Sequence, residues 1–128
     1  MDLIEDIFKA YFDARRGKRN SVNQLRFEMN LEENLVALYH EVAERRYQVG
    51  RSICFMVTYP VKREVFAADF RDRIVHHLLF NYISPIFERT FIDDCYSCRK
   101  NKGTLFGIKR LDKHIRSCSH NFTKDCYV

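Results

Sequence analysis

A stripe of apolar positions opens the chain. Leu3, Ile4, Ile7, Phe8, Tyr11 and Phe12 recur at the spacing of one helix face, with charged residues between them. The basic, glycine-containing stretch ARRGKRNS then breaks the pattern. From about residue 21 to residue 46 the helical period returns, with Leu31, Leu35, Leu38, Tyr39 and Val42 on one side and Gly50 placed to end it. Both segments read as packing devices whose apolar faces turn to a core.

Residues 52–59, SICFMVTY, are rich in β-branched and aromatic side chains and too short for a stable helix. PVKR follows as a turn and EVFAA as a returning strand, so a hairpin is expected. Asp69, with Asp72 three residues on, stands where a helix N-terminus favours acids. Ile74, Val75, Leu78, Leu79, Tyr82 and Ile83 then give that helix a buried face, and Pro85 is expected to end or kink it. A loop through FERTFIDDCYSC leads to Gly103 and Thr104, which open a last helix expected to turn Leu105, Ile108, Leu111 and Ile115 inward. The closing CYV reads as the start of a strand cut short. These elements make a mainly helical α+β fold, one domain over residues 1–128, with a small β-hairpin and a truncated C-terminal strand.

Composition adds a few bounds. At 128 residues and 46% hydrophobic, the chain carries enough apolar material for a core. No apolar run is long enough to span a bilayer, and the N-terminus is acidic and amphipathic, the wrong order for a signal peptide. A cytoplasmic protein without a membrane partner is the expectation. The 5 cysteines, an odd number, fit free thiols better than a disulfide framework. A net charge of +5 is compatible with an anionic partner and does not by itself name one.

Candidate chemistry gathers in two places. Lys62 and Arg63 sit at the tip of the expected hairpin, where they reach either solvent or a ligand. Between Arg99 and Arg116 lie seven basic residues, opposed within that window only by Asp112. Arg99, Lys100 and Lys102 precede a glycine and a helix start, a combination suited to phosphate, although RKNKGT is no Walker motif. A solvated basic face explains the same residues. Cys95 and Cys98 form a C-x-x-C, with Cys118 and His120 downstream, but the second pair is tighter than usual zinc spacing. A thioredoxin-type role lacks the βαβ unit that would surround the pair. His76 and His77 point about 100° apart on a helix and do not suit one metal.

Residues 59–111, YPVKREVFAADFRDRIVHHLLFNYISPIFERTFIDDCYSCRKNKGTLFGIKRL, resemble the first blocks of bacterial reverse transcriptases, the enzymes of group II introns, retrons and diversity-generating retroelements. In that class a basic fingers hairpin is followed by an F-R-D-R-I-V helix, a P-I-F-E-R-x-F connection and a Y-x-C-R-K-x-K-G turn into a helix. The C-R-K-x-K-G and R-D-R-I-V-H-H forms are most similar to the diversity-generating subgroup.

The resemblance implies specific roles. Lys62 and Arg63 match the fingers-tip pair that binds the triphosphate of an incoming dNTP. Arg99, Lys100 and Lys102 match the turn that lies along the RNA template, so template and primer-template nucleic acid are the implied partners. Arg71 and Arg73 match the F-R-D-R block, with roles that include ion pairing. The first metal-binding aspartate of the family lies a few residues beyond a Y-V pair, and here Tyr127 and Val128 are last. The Y-x-D-D motif is not in the sequence, so Mg²⁺ is expected in a parent enzyme and no cofactor in this fragment, which would be inactive alone. An exposed, truncated edge would favour a homodimer. A stand-alone or relic nucleic-acid-binding module is the alternative.

Overall fold

The computed structural model describes residues 2–17 and 20–125. Among these residues are five helices and one two-stranded antiparallel sheet, a mainly helical α+β fold. The chain gathers into two compact units, Met1–Ile86 and Phe87–Val128. The expected C-terminal strand over CYV lies outside the described residues.

The first unit begins with α1 (Leu3–Arg15), capped by the Asp2 side chain and buried along Ile7, Ala10, Tyr11 and Ala14. Phe12, expected inward, is exposed. The long second helix of the sequence reading is instead two. α2 (Val22–Glu28) is capped by Ser21, and α3 (Leu31–Ala43) starts after Asn30. The break has a local cause. Asn30 leaves helical backbone geometry, and the Asn34 side-chain amide donates to the Phe27 carbonyl at 2.8 Å, satisfying a group that a continuous helix would have bonded internally. α3 ends at Ala43, well before Gly50, with Arg45 in the left-handed region.

α4 (Phe70–Glu88) closes the core of this unit. Asp69 serves its N-terminus as expected, accepting from the Arg71 backbone N–H at 3.1 Å. Phe70 sits at the centre, with Tyr11 and Phe27 packed edge-on at 6.2 and 5.6 Å between ring centroids. Leu35, Leu38, Ile74 and Leu78 surround them, and burial of each contributes roughly 1.5–3 kcal/mol. Leu79, Tyr82 and Ile83 are exposed, so the apolar face is narrower than the sequence suggested. Pro85 lies inside α4, which continues to Glu88. Only the last turn follows Pro85, so the helix loses one hydrogen bond and no more.

Asp72 stands in the first turn of α4, as the sequence implied, but it is also buried, 1% exposed. Its carboxylate accepts from the Tyr47 hydroxyl at 2.6 Å and the Gly50 backbone N–H at 2.9 Å, and Arg71 stands at 3.5 Å. A Cβ on Gly50 would come within 3.1 Å of that carboxylate, so the glycine permits the close approach. Arg71 also pairs with Glu41, donates to the Gln48 carbonyl at 3.3 Å and stacks over the Tyr47 ring at 5.0 Å. Residues 44–50 are thereby tied to α4.

The strands β1 (Ile53–Val57) and β2 (Arg63–Ala67) pair antiparallel, with Val57 opposite Arg63, Phe55 opposite Val65 and Ile53 opposite Ala67. Cys54 and Met56 face the other way with Phe66 and Glu64, and all four are exposed.

Removing the Asp72 carboxylate should therefore cost more than removing either donor. Asp72→Ala is expected to lower the unfolding free energy in urea by about 2–4 kcal/mol, and Tyr47→Phe by about 1 kcal/mol. Adding Tyr47→Phe to Asp72→Ala should cost almost nothing further; fully additive losses would show the two groups to be uncoupled.

Burial, then the hydrogen bond to Asp72, pushes the Tyr47 hydroxyl up to about 12. A raised phenol stabilises the fold below its unfolded value and loses that contribution as pH climbs through the folded one. Thermal stability should fall between about pH 10 and pH 12, and Tyr47→Phe should flatten the decline.

Candidate nucleic-acid interface

The two basic sites of the sequence stand in opposite physical states. Lys62 lies in the loop between the strands and Arg63 opens β2, one position earlier than the expected strand start. Both are exposed, and neither has a side-chain hydrogen bond or ion pair among the described residues. The loop includes a cis Tyr59–Pro60 bond, and Tyr59 and Val61 are exposed beside the two cations. An unpaired cation pair beside an exposed aromatic ring suits a phosphate-bearing ligand with a stackable base.

The second site belongs to the second unit, a long loop followed by α5 (Thr104–Cys118). Arg99 is drawn inward. Its guanidinium pairs with Glu88 at 2.8 Å, donates to the carbonyls of Ile92 at 3.0 Å and Cys95 at 3.4 Å, and lies over the Phe91 ring at 5.5 Å. The Glu88 carboxylate holds it above the ordinary arginine range. Lys102 pairs with the Asp93 carboxylate at 2.8 Å and also donates to the Asp93 carbonyl, and its partner is held below the usual carboxylate range. Only about a seventh of each basic side chain remains exposed. Lys100, between them, is exposed and has no partner among the described residues. One cation of the three is therefore presented outward, from a turn that the other two hold in shape.

α5 repeats the division. Arg110 pairs with Asp94 at 2.9 Å, and His114 stands 3.9 Å from the same carboxylate. Arg116 pairs with Asp112 at 2.8 Å and lies over Phe122. Lys109 and Lys113 are exposed. At 100° per residue, Lys109, Lys113 and Arg116 share one side of the helix, opposite Ile108, Leu111 and Ile115. The apolar side is not inward as the sequence implied. No residue of α5 is buried, because no other described element of this unit packs over it. Thr104, Gly107, Ile108, Leu111 and His114 line a shallow cavity of about 530 Å³ with Asp94 and Tyr96. Gly107 lets the Tyr96 ring approach closely, since a Cβ there would stand 3.0 Å from it.

The partners of Arg99, Lys102 and Arg110 are the part that sequence reasoning missed. A window opened at Arg99 excludes Glu88, Asp93 and Asp94, which lie 9 to 16 residues before the cations they hold. The signal was the acidic run itself, and no periodicity ties it to its partners. Arg71 and Arg73 take the structural part of their expected roles, Arg73 donating to the Ala68 carbonyl at 3.0 Å.

Cys54, Cys95, Cys98 and Cys118 are free thiols. Among the described residues no three His, Cys, Asp or Glu side chains gather around a position that could hold a metal ion. No helix among them is long and apolar enough to cross a membrane. No protein-family model matches the chain, and no curated protein is significantly similar to it.

The loop's charge network has a titration signature. Hydrogen bonds from Arg110 and then Tyr96 pull the Asp94 carboxyl down to about 2. A depressed carboxyl supports the folded loop above its unfolded value and loses that support as pH falls through the folded one. Carbon-detected NMR of the Asp94 carboxyl should show a midpoint near pH 2, and Arg110→Ala should move it back toward the ordinary aspartate range. A midpoint unchanged by Arg110→Ala would exclude this pairing.

Proposed function

We propose that this chain is the fingers portion of an RNA-directed DNA polymerase, positioning the phosphates of a template strand and of an incoming nucleotide. The observation that carries the reading is the ordered succession of Y-P-V-K-R, F-R-D-R-I-V, P-I-F-E-R-T-F and Y-S-C-R-K-N-K-G within residues 59–111. Its chemistry is supported by the unpaired Lys62 and Arg63 on an exposed hairpin, where a polyanion finds two charges without first breaking an ion pair. Lys100 offers its ammonium to a template phosphate. Arg99 and Lys102 join the template site as the residues that fix its turn. None of these side chains supplies the paired carboxylates that two-metal phosphoryl transfer requires, so the contribution is electrostatic and geometric.

Fluorescence anisotropy with labelled single-stranded RNA and a primer-template duplex tests this. Affinity should be independent of sequence and fall with salt, and Lys100→Ala should flatten the log–log slope by about 0.7, one single-strand phosphate contact. Lys62→Ala/Arg63→Ala should abolish broadening of dNTP phosphorus resonances while leaving RNA affinity within about twofold, the triphosphate and template roles falling to different residues. Absence of any salt-dependent RNA binding would overturn the reading. Primer extension by the purified 128-residue chain would overturn it from the other side, because the family's metal-binding motif is not in this sequence.

A further inference from the structure

α1 carries a second apolar face that the core of its unit does not use. Ile7, Ala10, Tyr11 and Ala14 are buried, and on an adjoining side Ile4, Phe8 and Phe12 line a groove of about 630 Å³. Phe12 is 61% exposed. The edge of the groove is charged, by Glu5, Lys9, Asp13 and Arg16. At that edge and beyond it the helix is pinned to α4, the Asn81 amide donating to Asp13 at 3.0 Å and the Tyr82 hydroxyl to Asp6. The groove is therefore a fixed surface and not a fraying terminus.

We infer that this groove is a self-association surface, occupied by α1 of a second copy running antiparallel. The charge order along its edge selects that occupant. In an antiparallel pair about a two-fold axis, each flank of a helix meets the same flank of its partner in reverse. The flank reads acid, base, acid, base. Reversed upon itself it sets Glu5 against Arg16 of the second copy and Lys9 against Asp13 of the second copy, each pair occurring twice. The same register brings Phe8 against the second copy's Phe12, so aromatic meets aromatic along the groove. In a parallel pair this flank would instead face the partner's opposite flank, where Ile7 and Tyr11 lie, and its four charges would find no counter-charges. Rim ion pairs of this kind contribute little affinity and decide direction and register, while burial of Phe8 and Phe12 supplies the driving force. This inference is independent of the polymerase reading.

Sedimentation equilibrium of the 128-residue chain over a wide concentration range tests the inference. A concentration-dependent dimer is expected. Phe12→Glu should raise its dissociation constant at least about tenfold with an unchanged circular dichroism spectrum, since the side chain lies outside the core. Glu5→Arg alone sets two cations together at both ends of the pair, and Arg16→Glu alone sets two acids together there. Each variant should therefore dimerise about tenfold more weakly. Mixed in equal amounts, the two variants form a heterodimer in which both contacts hold opposite charges: at one the new cation faces the new acid, and the other keeps its original pair. That heterodimer should lie within about twofold of the original affinity. A monomer at every concentration overturns the inference, as does a dimer indifferent to Phe12→Glu. A mixture that associates no better than its components excludes the antiparallel register.

Discussion

A carboxylate removed from water is costly unless its lone pairs are filled, and Asp72 fills them from a segment that has no regular structure of its own. Tyr47 and the Gly50 amide both come from the stretch after α3, and Arg71 reaches from beside Asp72 back to Glu41 and Gln48. These contacts close a ring of polar groups around one corner of the aromatic core at Phe70. The hairpin begins three residues after Gly50, so the point from which it projects is set by this ring. Three consecutive residues of the F-R-D-R block thus serve one purpose. Phe70 fills the core, Asp72 captures the loop, and Arg71 between them neutralises the buried charge.

The second unit is built on a different principle. Its helix buries no residue, and its loop is fixed by Arg99 to Glu88, Lys102 to Asp93 and Arg110 to Asp94. Each pair is accessible to water and is worth little alone, so the loop's shape rests on several weak contacts acting together with the rings of Phe91, Tyr96 and Phe106. Such a network weakens with salt, which the apolar core of the first unit does not. High ionic strength would loosen the turn around Lys100 and screen its charge at the same time, so a salt slope measured on this turn contains both effects.

Local order was legible in the sequence wherever a period carried it. The stripes of α1, α3 and α4 and the β-branched, aromatic run of the hairpin gave those elements, because helical period and strand propensity are written into neighbouring positions. The break at Asn30 was not, since it depends on an amide four residues later finding the Phe27 carbonyl. The place of Asp72 in the first turn was legible, but its partners were not: the macrodipole is a sufficient local explanation for an acid there, and the groups it binds lie 22 and 25 residues upstream. The inward face expected of α5 failed for a related reason. Amphipathicity shows that a helix has an apolar side, not that anything covers it.

The same limit governs the basic residues, where composition counts charges and energetics depends on which are already spent. To take a phosphate, Arg99 would have to release a carboxylate and two carbonyls and Lys102 a carboxylate and one carbonyl, exchanging charge-assisted contacts for others with little net gain. Lys62, Arg63 and Lys100 exchange only water. Cations adjacent in sequence therefore differ in their readiness to take an anion, which is what the proposed template role would draw on. The turn R-K-N-K is not a uniform basic patch but one available ammonium held between two structural clamps. Such an arrangement trades total charge for position: fewer contacts are available, but the one that remains is presented from a fixed backbone, which suits a site that must place a strand as well as attract it.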